Sequence, residues 1–433
     1  MPKIRKKCTK RKVEIAPSPY EVGSAAAATA LIGLVYCSLN RLHLLSFVAE
    51  GLQSSLIAYV AGLCALDEHP TAVAMAQKVG ISHDRLTRLT SWTRFSACMV
   101  ARLFIAFVQN LGHSGWLIID DVLLLHRRGK KMEGVYWDYD HTEEKNMLGM
   151  RVVMVLWTDG FFRIPLAFAV WHKKDAYLRR YRSKNDLARI LLRWVIRKGI
   201  CPQYVAFDAW YASKQNLMFC IRLGLIFVTR LKKNCRISYQ GKKLLAKTVG
   251  YRLLKVRRDY TFRDLCVQGR SARISWGSLE GLTFVVVKDG LDGERLSLKY
   301  LLSNDPVGAR LIIERYKSRW EIEVFFRDTK QHLGLAAYQG RSLEGAIRHL
   351  SLVFLSTVVL DSLKGEGMTL GDVKRTAQRL IVVHDVNGQP RLAVQTLPDW
   401  SEPTLLEEAK AVVEPHLNAV CGLQFPTLKR HAA

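Results

Sequence analysis

The sequence predicts an α/β fold with a mixed-sheet core, interrupted by a β-rich insertion and preceded by an all-helical N-terminal domain. Three observations carry that prediction. Apolar residues recur at helical spacing almost throughout residues 24 to 108,. At Trp116 the pattern turns into short apolar runs bounded by turn residues, and these then alternate with helical segments,. Residues 231 to 297 break the alternation into brief strand-like pieces separated by Gly and Asp turns,.

The chain begins with a basic arm, residues 1–22, that includes Lys3, Arg5, Lys6, Lys7, Lys10, Arg11 and Lys12 and is expected to be disordered. The apolar stretch Ala25 to Leu39 behind it falls short of the roughly 20 residues of a membrane span, carries Ser24, Thr29 and Ser38 and lies beyond Pro17 and Pro19, so it reads as a buried helix rather than a leader or an anchor,. The helical unit, residues 23–110, contains Thr71 to Leu89. There a helix, a turn at Gly80, a cap at Ser82 or Asp84 and a second helix with Arg85 and Arg88 outline a helix-turn-helix,. The same outline fits a helix pair in an ordinary bundle. Taken as a DNA-binding element, it presents Arg85 and Arg88.

The core is expected in two pieces, residues 111–230 and 298–365. Trp116 to Leu125, Arg151 to Trp157 and Phe161 to Trp171 read as three consecutive strands, the last two joined by a Thr158-Asp159-Gly160 hairpin turn,. A helix from Lys184 to Lys198, a strand Tyr204 to Asp208, a helix near Ser213 to Arg222 and a strand Leu225 to Thr229 follow. This β-β-β-α-β-α order is that of a ribonuclease-H-like core, in which the first and fourth strands are neighbours. The insertion, 231–297, offers strands at Leu253 to Val256, Ala272 to Trp276 and Leu282 to Val287, and its first half is basic, from Lys232 to Arg257 and Arg258. After Pro306 one long helical pattern runs to about Leu333 and another from Ser342 to about Leu363, while residues 366–433 suggest no role.

Composition narrows the function. The 433 residues suit two to four domains, and 65 Lys plus Arg against 38 Asp plus Glu give a formal net charge of +27,. Such a surface attracts polyanions, nucleic acid first among them. The nine cysteines are scattered without a C-x-x-C pair, which argues against a disulfide framework or a structural zinc and for a reducing compartment,. Neither phosphate-binding glycine motif for ATP or dinucleotides occurs,.

The densest chemistry lies in Tyr316-Lys-Ser-Arg319-Trp-Glu-Ile-Glu323, followed by Lys330. On a straight helix Tyr316, Arg319, Glu323 and Lys330 fall within an arc of about 60°. Ile322, Phe325, Phe326 and Leu333 form an apolar stripe beside them,. Taken alone, the pattern also describes a surface helix whose Glu323 pairs with Arg319 or Arg327. Two further carboxylates change the balance. Asp120 ends the run Leu117-Ile-Ile and Asp208 ends Val205-Ala-Phe, and an aspartate closing each of two buried strands needs a cation or hydrogen bonds to offset its burial,. Three carboxylates suit two hard divalent cations, Mg²⁺ or Mn²⁺, bridged by a phosphate, with Arg319 and Lys330 on the strand phosphates.

At these residues the chain resembles the DDE transposases of bacterial insertion sequences, in the insertion sequence 4 branch marked by Tyr-x2-Arg-x3-Glu-x6-Lys, here Tyr316, Arg319, Glu323 and Lys330. Ile118-Ile-Asp-Asp121, Phe207-Asp-Ala-Trp-Tyr-Ala-Ser213 and Ile81 to Arg88 extend the likeness over roughly residues 70 to 350. The resemblance implies a metal-dependent transposase with Asp120, Asp208 and Glu323 as catalytic metal ligands and Tyr316, Arg319 and Lys330 on DNA. It implies binding of terminal inverted repeats, cutting at the element ends and strand transfer into target DNA within a homodimeric complex, in the cytoplasm at the nucleoid and away from membranes. It also suggests Trp276 as the insertion residue that holds an unstacked base, although a buried strand anchor fits Trp276 as well. The chain departs from the pattern with Val122 where the family commonly has threonine, and with a second acid, Asp121. Strand alternation turns Asp120 and Asp121 to opposite faces, and the family pattern favours Asp120. A DNA-binding repressor and a nuclease that cuts without joining are the competing functions.

Overall fold

The computed structural model of the chain describes residues 19–46, 48–66, 70–91, 95–112, 114–140, 143–174, 181–255, 261–262, 267–289, 298–365, 367–384 and 390–394. Most of the basic arm, Arg257, Arg258 and the last residues therefore lie outside the described residues.

Helices α1 (Pro19–Arg41), α2 (Glu50–Ala65), α3 (Ala72–Val79), α4 (His83–Ser91) and α5 (Ala97–Leu111) open the chain. Thr71 caps α3 by accepting from the Ala74 N–H, and Gly80 closes it at φ 71°, a left-handed conformation that suits glycine, so α3 and α4 form the expected helix pair,.

The core follows as β1 (Trp116–Leu125), β2 (Tyr136–Asp140), β3 (Lys145–Thr158), β4 (Arg163–Trp171), α6 (Lys184–Arg197), β5 (Val205–Phe207), α7 (Lys214–Arg222) and β6 (Phe227–Arg230). β4, β3 and β1 pair antiparallel, and β5 and β6 continue parallel to β1. This mixed sheet is compatible with the ribonuclease-H-like order, and the first and fourth expected strands are adjacent. The sequence reading passed over β2, whose Tyr-Trp-Asp-Tyr-Asp run pairs with the first half of β3.

Then come β7 (Arg236–Tyr239), β8 (Lys242–Leu245), α8 (Ala246–Leu254), β9 (Thr261–Phe262), β10 (Val267–Trp276) and β11 (Leu279–Asp289). The chain returns through β12 (Leu298–Ser303), which pairs with both β11 and β6, so the insertion strands prolong the core sheet. The strand expected at Leu253 to Val256 is corrected. Leu253 and Leu254 end α8, whose Ala246, Val249, Gly250 and Leu253 form a buried helical stripe,.

The long helix expected from Pro306 to Leu333 is also corrected, to α9 (Ala309–Lys317) and α10 (Trp320–His332). At the junction Arg319 N–H donates to the Tyr316 carbonyl and Glu321 N–H to that of Ser318, a turn of the tighter i→i−3 type,. The Ser318 hydroxyl, bonded to the Arg315 carbonyl and to Tyr204, holds that turn against the strand side of the core. The chain continues with α11 (Leu343–Asp361), α12 (Leu370–Gln378) and the hairpin β13 (Leu380–His384) and β14 (Pro390–Val394). α11 is long and apolar enough to cross a membrane, but 83% of its apolar window is buried inside the fold, against α2, α4, α5 and β4 among others. One hydrophobic core runs from α1 and α2 through the sheet to α11 and α12.

Candidate active site

The parallel register Leu117 with Val205, Ile118 with Ala206 and Ile119 with Phe207 ends one residue before Asp120 and Asp208. The two aspartates thus follow the last paired residues of neighbouring strands, which run about 4.8 Å apart. β1 itself continues to Leu125 on β3, with Asp120 opposite Met154, so Asp120 does not terminate the strand but only its pairing with β5. Burial pushes the Asp120 carboxyl up to about 7; Arg319 pulls against it, Asp121 and Asp208 add to it, and the hydrogen bond from the Asp121 N–H at 2.8 Å lowers it again,. Asp208 accepts from the N–H of Trp210, and its carbonyl accepts from the buried Thr229 hydroxyl at 3.2 Å.

Arg319, in the turn between α9 and α10, joins two of the expected ligands. Its Nη1 donates to Asp120 Oδ2 at 3.0 Å and its Nη2 to Glu323 Oε1 one helical turn on. The three side chains are partly accessible, at 14% for Arg319, 20% for Asp120 and 34% for Glu323, while Arg319 Nε is buried without a partner. Tyr316, on α9, lies under this guanidinium at 5.7 Å, and burial raises its hydroxyl, with Asp208 adding to the shift. The fold therefore gathers Asp120, Asp208, Tyr316, Arg319 and Glu323, although not on one straight helix. Lys330 projects from α10 toward the groups of β2 and β3: burial lowers its ammonium, the Asp140 charge raises it and that of Arg151 lowers it.

Among the described residues no three His, Cys, Asp or Glu side chains stand close enough together to hold a metal ion. The donor set is nonetheless all carboxylate oxygen, which suits Mg²⁺ or Mn²⁺. The guanidinium between Asp120 and Glu323 supplies the positive charge that a metal would supply.

Asp121 has a different environment. Oδ1 accepts from Tyr211 at 2.7 Å and from Lys184 at 3.1 Å, and Oδ2 from Arg151 at 2.8 Å and Lys184 at 3.1 Å. Burial would raise this carboxyl, but Lys184, Tyr211 and Arg151 outweigh it and hold it below the usual carboxylate range. With two donors on each oxygen its acceptor capacity is filled. Sequence reasoning assigned nothing to Arg151, Lys184 or Tyr211. The available signal was Arg151 itself, a charge inside a strand otherwise buried from Leu148 to Thr158.

Beside Arg319 lies a cavity of about 430 Å³, floored by Val267, Val287, Leu301 and Ile313 and rimmed by Arg230, Lys299, Lys317, Tyr316 and Trp320. The remaining candidates stand elsewhere. Trp276 is half-buried on β10, with Lys214 Nζ 5.9 Å from its ring. On α4, Arg85 donates to Ser54 of α2 at 2.6 Å, and Arg88 is exposed.

Residues 50–253 match the family model described as DDE superfamily endonuclease. That span holds α2 to α8, with Asp120 and Asp208, and ends before Arg319 and Glu323. No curated protein matches the chain. The family match, together with a mixed sheet that sets two aspartates side by side, supports a DDE transposase-like family and an enzyme of the nuclease or transposase type acting on DNA.

Proposed function

We propose that the chain is a transposase of the insertion sequence 4 superfamily, in its Tyr-Arg-Glu-Lys branch, acting as a homodimer on double-stranded DNA in the cytoplasm. It binds the terminal inverted repeats, cuts at the element ends and transfers the 3′ ends into target DNA. The observation that carries this reading is the convergence of Asp120 and Asp208 from neighbouring strands with Arg319, which links Asp120 to Glu323.

Asp120, Asp208 and Glu323 would hold two Mg²⁺ or Mn²⁺ ions, which when bound supply activation of water or a 3′-hydroxyl and stabilisation of the leaving oxygen. Asp120 suits this role better than Asp121, because Arg319 alone among its partners must leave, whereas both oxygens of Asp121 are already filled by three residues. Arg319, which lines the cavity, moves from the carboxylates to a backbone phosphate there, so substrate binding and release of the ligands are one event,. Tyr316 and Lys330 position the strand, and the pair α3 and α4 presents Arg88 to the element ends. The unpaired Arg319 Nε offers a further donor to the phosphate.

The test is Mg²⁺-dependent cleavage and strand transfer on DNA carrying the element's own ends, comparing the native chain with Asp120→Asn, Asp208→Asn and Glu323→Gln. Each variant is expected to bind the ends while cutting and joining fall at least about a thousandfold, the scale on which loss of a principal electrostatic group acts. Cleavage retained by any variant removes that residue from the ligand set, and a native chain that binds without cutting is a repressor.

A further inference from the structure

We propose that Asp121 and Tyr211 are positioning residues: the hydrogen bond between them fixes the gap between Asp120 and Asp208 at the width that a shared Mg²⁺ requires. The inference rests on the ligand set proposed above and deepens it, while assigning neither residue to the metal itself.

The need for such a bond arises in the sheet. The paired residues of β1 and β5 end at Ile119 and Phe207. Beyond them β1 runs on along β3, whereas the chain after β5 leaves the sheet in a turn over residues 209–211. Asp120 and Asp208 therefore stand where the two backbones part and the ladder no longer ties one to the other. The Tyr211 hydroxyl restores a link across that gap, donating to Asp121 Oδ1 at 2.7 Å.

Both ends of the link are anchored. The Asp121 side chain is 8% exposed and is gripped by Arg151 of β3 at 2.8 Å and by Lys184 of α6 at 3.1 Å. Strand alternation turns it to the face opposite Asp120, so it braces β1 from behind and leaves the metal's face open. Tyr211 is 1% exposed; its N–H donates to the Asp208 carbonyl at 3.2 Å, and its own carbonyl accepts from the Asn216 amide at 2.8 Å. Asn216 also donates to Asn185 of α6 at 2.7 Å, so α6 is tied to both ends of the link. Within the turn the Trp210 N–H bonds the Asp208 carboxylate and sets its direction. A shift of Tyr211 thus becomes a shift of the Asp208 carboxylate relative to Asp120.

Mg²⁺ holds its oxygens at about 2.0–2.1 Å in near-ideal octahedral geometry, whereas Ca²⁺ accepts about 2.3–2.6 Å and less regular surroundings. Two carboxylates that are free to drift should lose Mg²⁺ well before Ca²⁺. Hydrogen bonds that orient metal ligands from outside are worth about 10- to 100-fold in metal affinity.

The experiment uses Tyr211→Phe, which deletes the hydroxyl alone. The ring still fills its place and Asp121 keeps Arg151 and Lys184, so the fold should survive, and thermal melting checks this. Mg²⁺ and Ca²⁺ are titrated separately by calorimetry into the full chain without DNA, at a pH well above 7, for the native chain, Tyr211→Phe and Asp120→Asn. Amide exchange is followed over residues 208–213. In Tyr211→Phe the amides of the turn should exchange faster, Mg²⁺ binding should weaken about tenfold and Ca²⁺ binding less than about threefold. A bond that serves only the fold would leave the ratio of the two affinities unchanged. Unaltered exchange, equal losses for both ions or an unaltered Mg²⁺ affinity in Tyr211→Phe would each overturn the proposal. Asp120→Asn separates the two readings. If it weakens Mg²⁺ binding while Tyr211→Phe does not, the ligand set stands and the positioning role falls; if neither variant weakens it, the ligand set fails and takes the positioning role with it.

Discussion

Helix α10 is held by two arginines, each spanning two carboxylates, and their surroundings differ. Arg163, at the start of β4, is 3% exposed and donates at 2.9 Å to both Asp328 of α10 and Asp361 of α11. Arg319, at the other side of the helix, is 14% exposed, binds Asp120 and Glu323, keeps a buried Nε without a partner and lines a cavity. The chemistry is the same; the access to solvent is not. The sealed cluster ties α10 to the sheet and to α11, and no incoming anion can compete for its guanidinium. The accessible cluster can exchange one partner for another, which a substrate-responsive site requires.

The largest effect expected from this contrast is on stability. Arg163→Ala leaves Asp361 buried without its bonded cation and Asp328 with Arg327 alone, and should lower the unfolding free energy by about 3 kcal/mol in urea titrations,. Replacing the whole cluster, as Arg163→Met with Asp328→Leu and Asp361→Leu, should restore most of that loss, since apolar groups need no counter-charge. A small loss in the single variant would show that water reaches the cluster and would end the distinction.

His349 sharpens it with a buried polar group that carries no charge. Its Nε2 donates to the Gly334 carbonyl at 2.9 Å and its Nδ1 accepts from the Tyr59 hydroxyl at 2.9 Å, so the neutral ring is fully paired,. Burial lowers its pKa to about 4, with the Gly334 bond opposing and the His126 charge adding to the shift. The unfolded chain therefore takes up a proton more readily than the native one. The stabilising contribution is complete above about pH 6.5 and is lost as pH falls toward 4, on the order of 3 kcal/mol in all. Unfolding followed from neutral to acid pH should show a shallower decline in His349→Gln than in the native chain; parallel curves would mean that His349 charges without cost.

The smallest effect belongs to the accessible arginine. Arg319→Ala should change stability by less than about 1 kcal/mol, as partly exposed ion pairs do. It should nevertheless tighten Mn²⁺ binding in the absence of DNA about tenfold, near 1.4 kcal/mol. Calorimetry at a pH well above 7 reads this without interference from the proton that Asp120 would otherwise hold. Unchanged Mn²⁺ affinity would mean that the guanidinium does not obstruct the carboxylates.

Local patterns made much of this legible. The buried runs closed by Asp120 and Asp208, the hairpin at Asp159 and Gly160 and the Tyr316 to Glu323 spacing are all contained within a few residues. What escaped was set from a distance. Asp121 is filled by partners 30, 63 and 90 residues away, and Arg163 finds its aspartates 165 and 198 residues on, pairings that no local period encodes. The turn at Ser318 escaped for a subtler reason: its backbone stays in the right-handed region, with φ −62° and ψ −16°, so apolar spacing runs through it unbroken. In α8 the helical spacing was present, but Leu253 and Leu254 at its end read equally well as the start of a strand.

β6 and β12 are antiparallel partners, with Thr229 facing Leu302 and Arg230 facing Leu301. Everything between them is, topologically, the loop of one oversized hairpin whose two feet stay clamped by ladder hydrogen bonds. Closing such a loop depends only weakly on its length, each doubling or halving changing the cost by about 0.6 kcal/mol. The number of residues separating Asp208 from Glu323 is therefore free to drift while their separation in space is not. Related chains should be aligned on the strand that leads to the second aspartate and on the β6 and β12 pair that closes the hairpin beside it, not by counting residues from one acid to the next.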